Sequence, residues 1–402
     1  MAPVRDVKRS LYAREPRSMI NVIWLCTPLG SRGGTFVHIS HWAKDIDKSK
    51  YHITLVYSSD KEYVREGVEQ LTEYGIEVIN IPELREYKTL LLPAILKLIR
   101  LFKEKEVDIL HNIFIQSEIL GTISAIFARV PHVISSVEGK FNIYLSTRYK
   151  KFLYKIAYML VKRRIEKIIA ISDNTREEHY KDFCVDKDKI IVIRNGVEED
   201  LFPWKRSLRI MEERIKNEMP VIGYYGQIIE SKGVVRLIES FRDVIKASPK
   251  SKLLIIGEGR DLSRCKQIAE RIGVGSSVEF IPWVENIIDI MLEFDILVFP
   301  SESEGIPWVI LESLACAKPV IASGVGGITE VIRNGHTGII LKENTPEEIT
   351  EATLYLINNL EVCSHIGRMG RILVEETFTA EREMREIENL YRSITRESKA
   401  SG

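Results

Sequence analysis

Asp295-Ile-Leu-Val-Phe-Pro-Ser-Glu-Ser-Glu-Gly-Ile-Pro-Trp-Val-Ile-Leu-Glu312 passes from a strand, through a polar turn, into a helix. Residues 295–299 form a short, apolar, branched run of the kind that is covered on both faces of a sheet. Gly305 and Pro307 punctuate, and 308–317 reads as a helix with Pro307 suited to its first turn. Glu304 then stands on a loop at the carboxyl end of a strand, the edge where open α/β sheets bind ligands. Glu312 follows on the helix after seven intervening residues. Between the carboxylates lie the N–H groups of Gly305, Ile306 and Trp308, which at a helix start have no acceptor in the helix's own ladder, whereas Pro307 has no N–H. Two acceptors around a set of donors suit a polyhydroxylated ligand such as a sugar with its nucleotide.

Outward from this stretch, short apolar runs recur at 20–26, 52–57, 76–81, 108–112, 132–137, 168–171 and 190–193. A second series falls at 221–225, 252–256, 278–281, 295–299, 320–322 and 339–341. Helical periodicity fills the gaps, as at 35–45, 90–105 and 117–128. Strands alternating with helices imply parallel sheets layered by helices, hence an α/β protein with two Rossmann-like domains. The expected organisation is a solvated leader over 1–18, a first domain over 19–200 and a charged linker over 201–219 that includes one short helix. A second domain over 220–378 and a terminal helix over 379–396 complete it.

At 402 residues the chain exceeds one ordinary domain, and 45% apolar content permits two cores. Lys plus Arg equals Asp plus Glu at 57 each, so global charge argues against a nucleic-acid partner. Five cysteines without Cys-x-x-Cys spacing read as free thiols in a reducing compartment, and zinc is not expected. The run 90–102 is broken by Pro93, Lys97 and Arg100, too short for a membrane span. A cytoplasmic location is the expectation.

Glu304 and Glu312 in this setting resemble the EX7E element of family 4 (group 1) retaining glycosyltransferases, which have the GT-B fold. The resemblance extends to Val192-Ile-Arg-Asn-Gly-Val197, Gly226-Gln-Ile-Ile-Glu-Ser-Lys-Gly233, Gly257-Glu-Gly259, Gly326-Gly-Ile-Thr-Glu330 and Asn334-Gly-His-Thr-Gly338, in the family's order. It spans roughly residues 20–392 and is sharpest over 223–341. It implies two Rossmann-like domains facing across a cleft, with the terminal helix crossing back to the first. It also implies transfer of a sugar from a nucleotide-sugar donor to an acceptor hydroxyl with retention, without a metal or other cofactor. Polysaccharide or glycolipid assembly is the expected setting.

Carried over residue by residue, Lys232 binds the donor diphosphate and stabilises the leaving group. Glu312 accepts from the ribose hydroxyls, Glu304 faces the transferred sugar, and the amides of Gly305, Ile306 and Trp308 serve its hydroxyls. Gly33 and Gly34, in Gly30-Ser-Arg-Gly-Gly34 between the first strand and first helix, bring backbone close to the donor or simply make a tight turn. Two departures stand out. Gln227 replaces the family's usual arginine and carries no charge for the leaving group. Glu138 stands where many relatives have a histidine on the acceptor side and is the third catalytic candidate beside Lys232 and Glu304: a carboxylate there binds an acceptor hydroxyl or a basic acceptor group, or else marks an altered or lost activity. These departures keep two alternatives open: a non-catalytic nucleotide-sugar-binding protein and a GT-B-like nucleotide-sugar 2-epimerase.

One segment points to the acceptor. Over 139–165 there is no acidic residue, yet Lys140, Arg148, Lys150, Lys151, Lys155, Lys162, Arg163 and Arg164 fall there. Tyr149, Phe152, Ile156 and Leu160 follow core spacing, while Lys151, Lys155, Tyr158 and Lys162 share another face. That second face is the expected contact with an anionic membrane carrying a lipid-linked or membrane-proximal glycan acceptor; an ordinary solvated basic side is the alternative.

Overall fold

The structure, a computed structural model, describes residues 19–27, 34–59, 62–85, 91–113, 115–137, 148–284 and 286–400. The chain divides into two compact units, Met1–Ile193 with Glu383–Gly402, and Arg194–Arg382. The first contains β1 (Ile20–Cys26), β2 (Tyr51–Tyr57), β3 (Glu77–Asn80), β4 (Ile109–Ile113), β5 (His132–Val137), β6 (Lys167–Ala170) and β7 (Ile190–Val192), in the order β3-β2-β1-β4-β5-β6-β7. The second contains β8 (Val221–Tyr225), β9 (Lys252–Ile256), β10 (Val278–Ile281), β11 (Ile296–Phe299), β12 (Val320–Ser323) and β13 (Ile339–Leu341), in the order β10-β9-β8-β11-β12-β13. Every ladder is parallel. In both sheets the order reverses beside the first strand, the doubly wound arrangement expected from the alternating pattern.

The apolar strands read as continuous runs because both faces are covered. Along β1, Val22 and Trp24 enter one core cluster, and Ile23 and Leu25 enter the cluster on the opposite face. The terminal helix Ala380–Ala400 returns the chain to the first unit, where Met384, Ile387, Leu390, Tyr391 and Ile394 join the Val22–Trp24 side at helical spacing. Its Tyr391 hydroxyl accepts from Trp24 Nε1 at 3.0 Å and meets His111 Nδ1 at 2.7 Å. His111 is thus a buried, bonded histidine of the scaffold, and Ser172 is the N-cap of the helix Asp173–Phe183, accepting from Thr175 N at 3.0 Å. The doubly wound units and the returning helix make this a GT-B chain.

Two segments differ from their sequence-based readings. Residues 204–216 form the helix expected within the linker, but as Trp204–Lys216 it is no mere connection: its Leu208, Met211 and Ile215 enter the second unit's core. A stripe of three apolar residues amid eight charged or polar neighbours is easily hidden. The helix Arg148–Val161 is rolled over relative to expectation. Tyr158, assigned to the outer basic face, is fully buried, whereas Tyr149, Phe152, Ile156 and Leu160, assigned to the core, are exposed. Lys155 pairs with Asp182 at 3.7 Å and Lys162 donates to the carbonyls of Phe183 and Cys184. The Lys151 side chain lies outside the described residues. Aromatic packing decided the roll: Tyr158 meets Phe183 at 4.4 Å between centroids and hydrogen-bonds His179 at 3.0 Å. Among the described residues, no helix is long and apolar enough to cross a membrane.

Candidate active site

β8 and β11 are neighbours at the point of reversal in the second sheet, and their ladder stops early. Pairing runs only through Ile296↔Ile222 and Leu297↔Gly223, although β8 continues to Tyr225 and β11 to Phe299. The strands therefore part at their carboxyl ends, the crevice where such sheets hold ligands. The loops leaving them, 226–233 and 300–307, meet there.

Lys232 ends a short 3-10 turn after β8, and its ammonium pairs with the Glu304 carboxylate on the loop after β11. The two loops are also joined through backbone: Glu302 N donates to Ser231 O at 2.8 Å. Gly233 closes the turn at φ +73, and a Cβ there would sit 2.1 Å from Pro300 O, so only glycine allows the approach. On the other side, Gly326 at φ +54 lies under Glu304, where a Cβ would fall 1.8 Å from its carbonyl oxygen. Asn195 donates to Ile306 O at 3.3 Å, and Arg194 pairs with Glu330 at 3.0 Å. The dispersed Gly-Gly, Arg-Asn-Gly and EX7E segments thus converge on a single loop.

Glu312 lies one turn into the helix Trp308–Ala315, buried, with no hydrogen bond to its carboxyl group among the described residues. Burial alone pushes its carboxyl up to about 8. Beside it stands Tyr225, whose hydroxyl is held protonated by burial and by the Glu312 charge, and whose ring lies 5.0 Å from that of Trp283. Pro307 caps the helix in extended backbone rather than occupying its first turn. The amides of Gly305 and Ile306 have no acceptor among the described residues. Glu304, Gly305 and Trp308 are partly exposed, Ile306 is buried, and Gln227 is exposed, its carbonyl accepting from Tyr224 Oη at 2.7 Å.

Lys232, Glu304, Gly305, Ile306, Trp308 and Glu312 therefore lie on the loops and the helix that follow β8 and β11, with Gln227 on the same loop as Lys232. Gly33 and Glu138 lie outside the described residues, and Gly34 begins the helix Gly34–Asp45. Tyr225 was missed by sequence reasoning; its place as the last residue of the strand at the reversal was the available signal. The Asp-x-Asp spacing does occur, at Asp45–Asp47 and Asp186–Asp188, but both pairs precede β2 or β7 and so lie at the amino ends of strands in the first unit.

The family model described as Glycosyltransferase Family 4 matches residues 32–201, and that described as Glycosyl transferases group 1 matches 207–372. The chain belongs to the family 4 (group 1) glycosyltransferases. This glycosyltransferase is 28% identical to the capsular polysaccharide biosynthesis glycosyltransferase CapM of Staphylococcus aureus, over 84% of this chain and 91% of that one. It is 25% identical to the UDP-Gal:alpha-D-GlcNAc-diphosphoundecaprenol alpha-1,3-galactosyltransferase of Escherichia coli, over 80% and 86% of the two chains. Its fold is that of Anabaena HepE, solved in complex with UDP-glucose, with a TM-score of 0.79 at 18% identity, covering 93% of this chain and 100% of that one.

Proposed function

We propose that this glycosyltransferase moves a sugar from a nucleoside-diphosphate donor to a hydroxyl of a growing, lipid-linked glycan, with retention and without a metal. The observation that carries the reading is the pairing of Lys232 with Glu304 on the loops that leave the two strands at the sheet reversal, with Glu312 buried on the helix that follows. Lys232 takes the diphosphate, Glu312 the ribose diol, and the Gly305 and Ile306 amides the hydroxyls of the transferred sugar. Tyr225 and Trp283 offer an aromatic platform for the base.

In the reaction, the bond between the anomeric carbon and the diphosphate oxygen breaks as the acceptor oxygen bonds that carbon on the same face. The acceptor proton passes to the departing diphosphate oxygen, so no protein base is needed. The Lys232 ammonium stabilises the charge gathering on the diphosphate, and the remaining contribution is positioning. Cation stabilisation falls to Lys232 because Gln227 has none to give. The second unit contains no Asp-x-Asp to clamp a divalent ion on the diphosphate. A uridine donor is supported by the relatives named for, or bound to, UDP-sugars. A cytoplasmic setting fits a chain in which no cysteine forms a disulfide.

Incubation with a panel of nucleotide-sugars and a diphosphoundecaprenol-linked sugar tests this. The expected product carries the donor's anomeric configuration by NMR coupling and forms equally in excess chelator. Thermal stabilisation by nucleotide with neither transfer nor hydrolysis overturns the catalytic reading in favour of a binding protein.

A further inference from the structure

The helix Arg148–Val161 is apolar on two sides. Its inner side is committed to the first unit through Tyr154, Tyr158 and Val161, with Tyr158 fully buried. Its outer side carries Tyr149, Phe152, Ile156 and Leu160 at 69%, 61%, 46% and 78% exposure. Spacings of three, four and four keep these four on one stripe. The helix Ile115–Ala128 packs beside it, and its last turn exposes Ile126 and Phe127 at 43% and 64%. A helix that is apolar all round belongs inside a core or against another apolar phase, and a contiguous exposed apolar surface marks an interaction site.

Charge identifies the occupant. Eight cations and no acid lie within 139–165, in a chain whose overall charge is zero. An anionic bilayer offers hydrocarbon to the stripe and phosphate to the cations at once. Lys155 and Lys162 are held by Asp182 and by the carbonyls at 183 and 184, and Arg164 by Glu166 and the carbonyls at 130 and 131, so these three cannot serve as the main anchor. Apolar insertion is therefore the dominant contact.

We propose that Tyr149, Phe152, Ile156 and Leu160, with Ile126 and Phe127, form a membrane-docking surface that enters the headgroup boundary of an anionic bilayer. The proposal deepens the lipid-linked acceptor reading, but docking itself requires neither donor nor acceptor.

Co-sedimentation of the full chain with vesicles of phosphatidylcholine containing phosphatidylglycerol, without nucleotide, tests it. Wild type is expected to pellet and to stay partly bound in high salt, because insertion is not screened. Phe152→Ser/Leu160→Ser should lower the bound-to-free ratio at least about ten-fold, with its circular dichroism and nucleotide affinity unchanged. Phe152→Trp should shift its emission to the blue on vesicle addition. Wild type that ignores these vesicles, or a double variant that binds like wild type, overturns the proposal. So does a wild-type dimer that the double variant dissolves into monomers, which gives the stripe to a second copy. Loss of transfer with vesicle binding intact would instead sink the transfer reading alone.

Discussion

Each unit buries a glutamate on the helix after its fourth strand, and the two are held differently. Glu118 follows β4 and Glu312 follows β11, strands that occupy the same place beside the reversal of their sheets. Burial pushes both carboxyls up to about 8. For Glu118 that push is partly offset by protein hydroxyls, with Tyr154 donating at 3.2 Å and Tyr158 close by. Glu312 has no such partner, and its only perturbation is burial. Equal burial thus hides unequal roles. The partnered carboxyl belongs to the scaffold and ties down the helix Arg148–Val161. The unpartnered one keeps unused hydrogen-bonding capacity, which the proposed function assigns to the ribose diol.

The contrast breaks if Glu118 proves dispensable. Glu118→Ala leaves the Tyr154 hydroxyl without its acceptor and opens a buried cavity, with an expected loss of about 3 kcal/mol in urea unfolding and no change in nucleotide affinity. An unfolding midpoint equal to wild type would remove Glu118 from the scaffold. Lys232→Ala, in the ligand crevice, should do the reverse. Transfer should slow about a hundred-fold, close to 2.7 kcal/mol of barrier, while the unfolding curve stays in place. Unchanged kinetics would end the diphosphate role.

Glu312→Gln should weaken nucleotide binding about ten-fold, or 1.4 kcal/mol, since an amide accepts a diol less well. Protonation sharpens this test. A ribose diol donating to Glu312 favours the carboxylate, so binding releases a proton wherever the free group is protonated. Wild-type affinity should then rise with pH from the ordinary carboxylate range until about 8 and level off above. Calorimetry across that range should find the rise in wild type and a flat profile in the glutamine variant; a slope common to both would assign it elsewhere. Gln227→Arg is the mildest change, restoring a cation beside Lys232, and should leave transfer equal or up to about three-fold faster. A strong loss would mean that the neutral residue is required.

The site was largely legible because its parts sit next to punctuation. Glu304, Gly305, Pro307 and Glu312 lie within thirteen residues of one strand end, and Lys232 precedes a glycine that must adopt positive φ. The Lys232–Glu304 pair was not legible, because it joins positions seventy-two apart through the divergence of two strands. Glu118 escaped notice for a related reason. A glutamate in the first turn of a helix ordinarily reads as a solvated residue suited to the helix dipole, and only the packing of Tyr154 and Tyr158 over it reveals burial.

Local chemistry in the sequence was enough for the alternation of strands and helices, the two parallel sheets, the turn glycines and the residue types of the donor crevice. Each depends on periodicity or backbone conformation within a few residues. What only the tertiary structure decided was orientation. The helix Arg148–Val161 has apolar residues on two faces, so its pattern alone could not choose which to bury; the pocket formed by Phe183, His179 and Glu118 accepted Tyr154 and Tyr158 and left Phe152 and Leu160 outside. Likewise, the stripe Leu208, Met211 and Ile215 became a core helix only because the second unit had an apolar face to receive it. Burial is a property of surroundings, and surroundings are assembled from residues far apart in the chain.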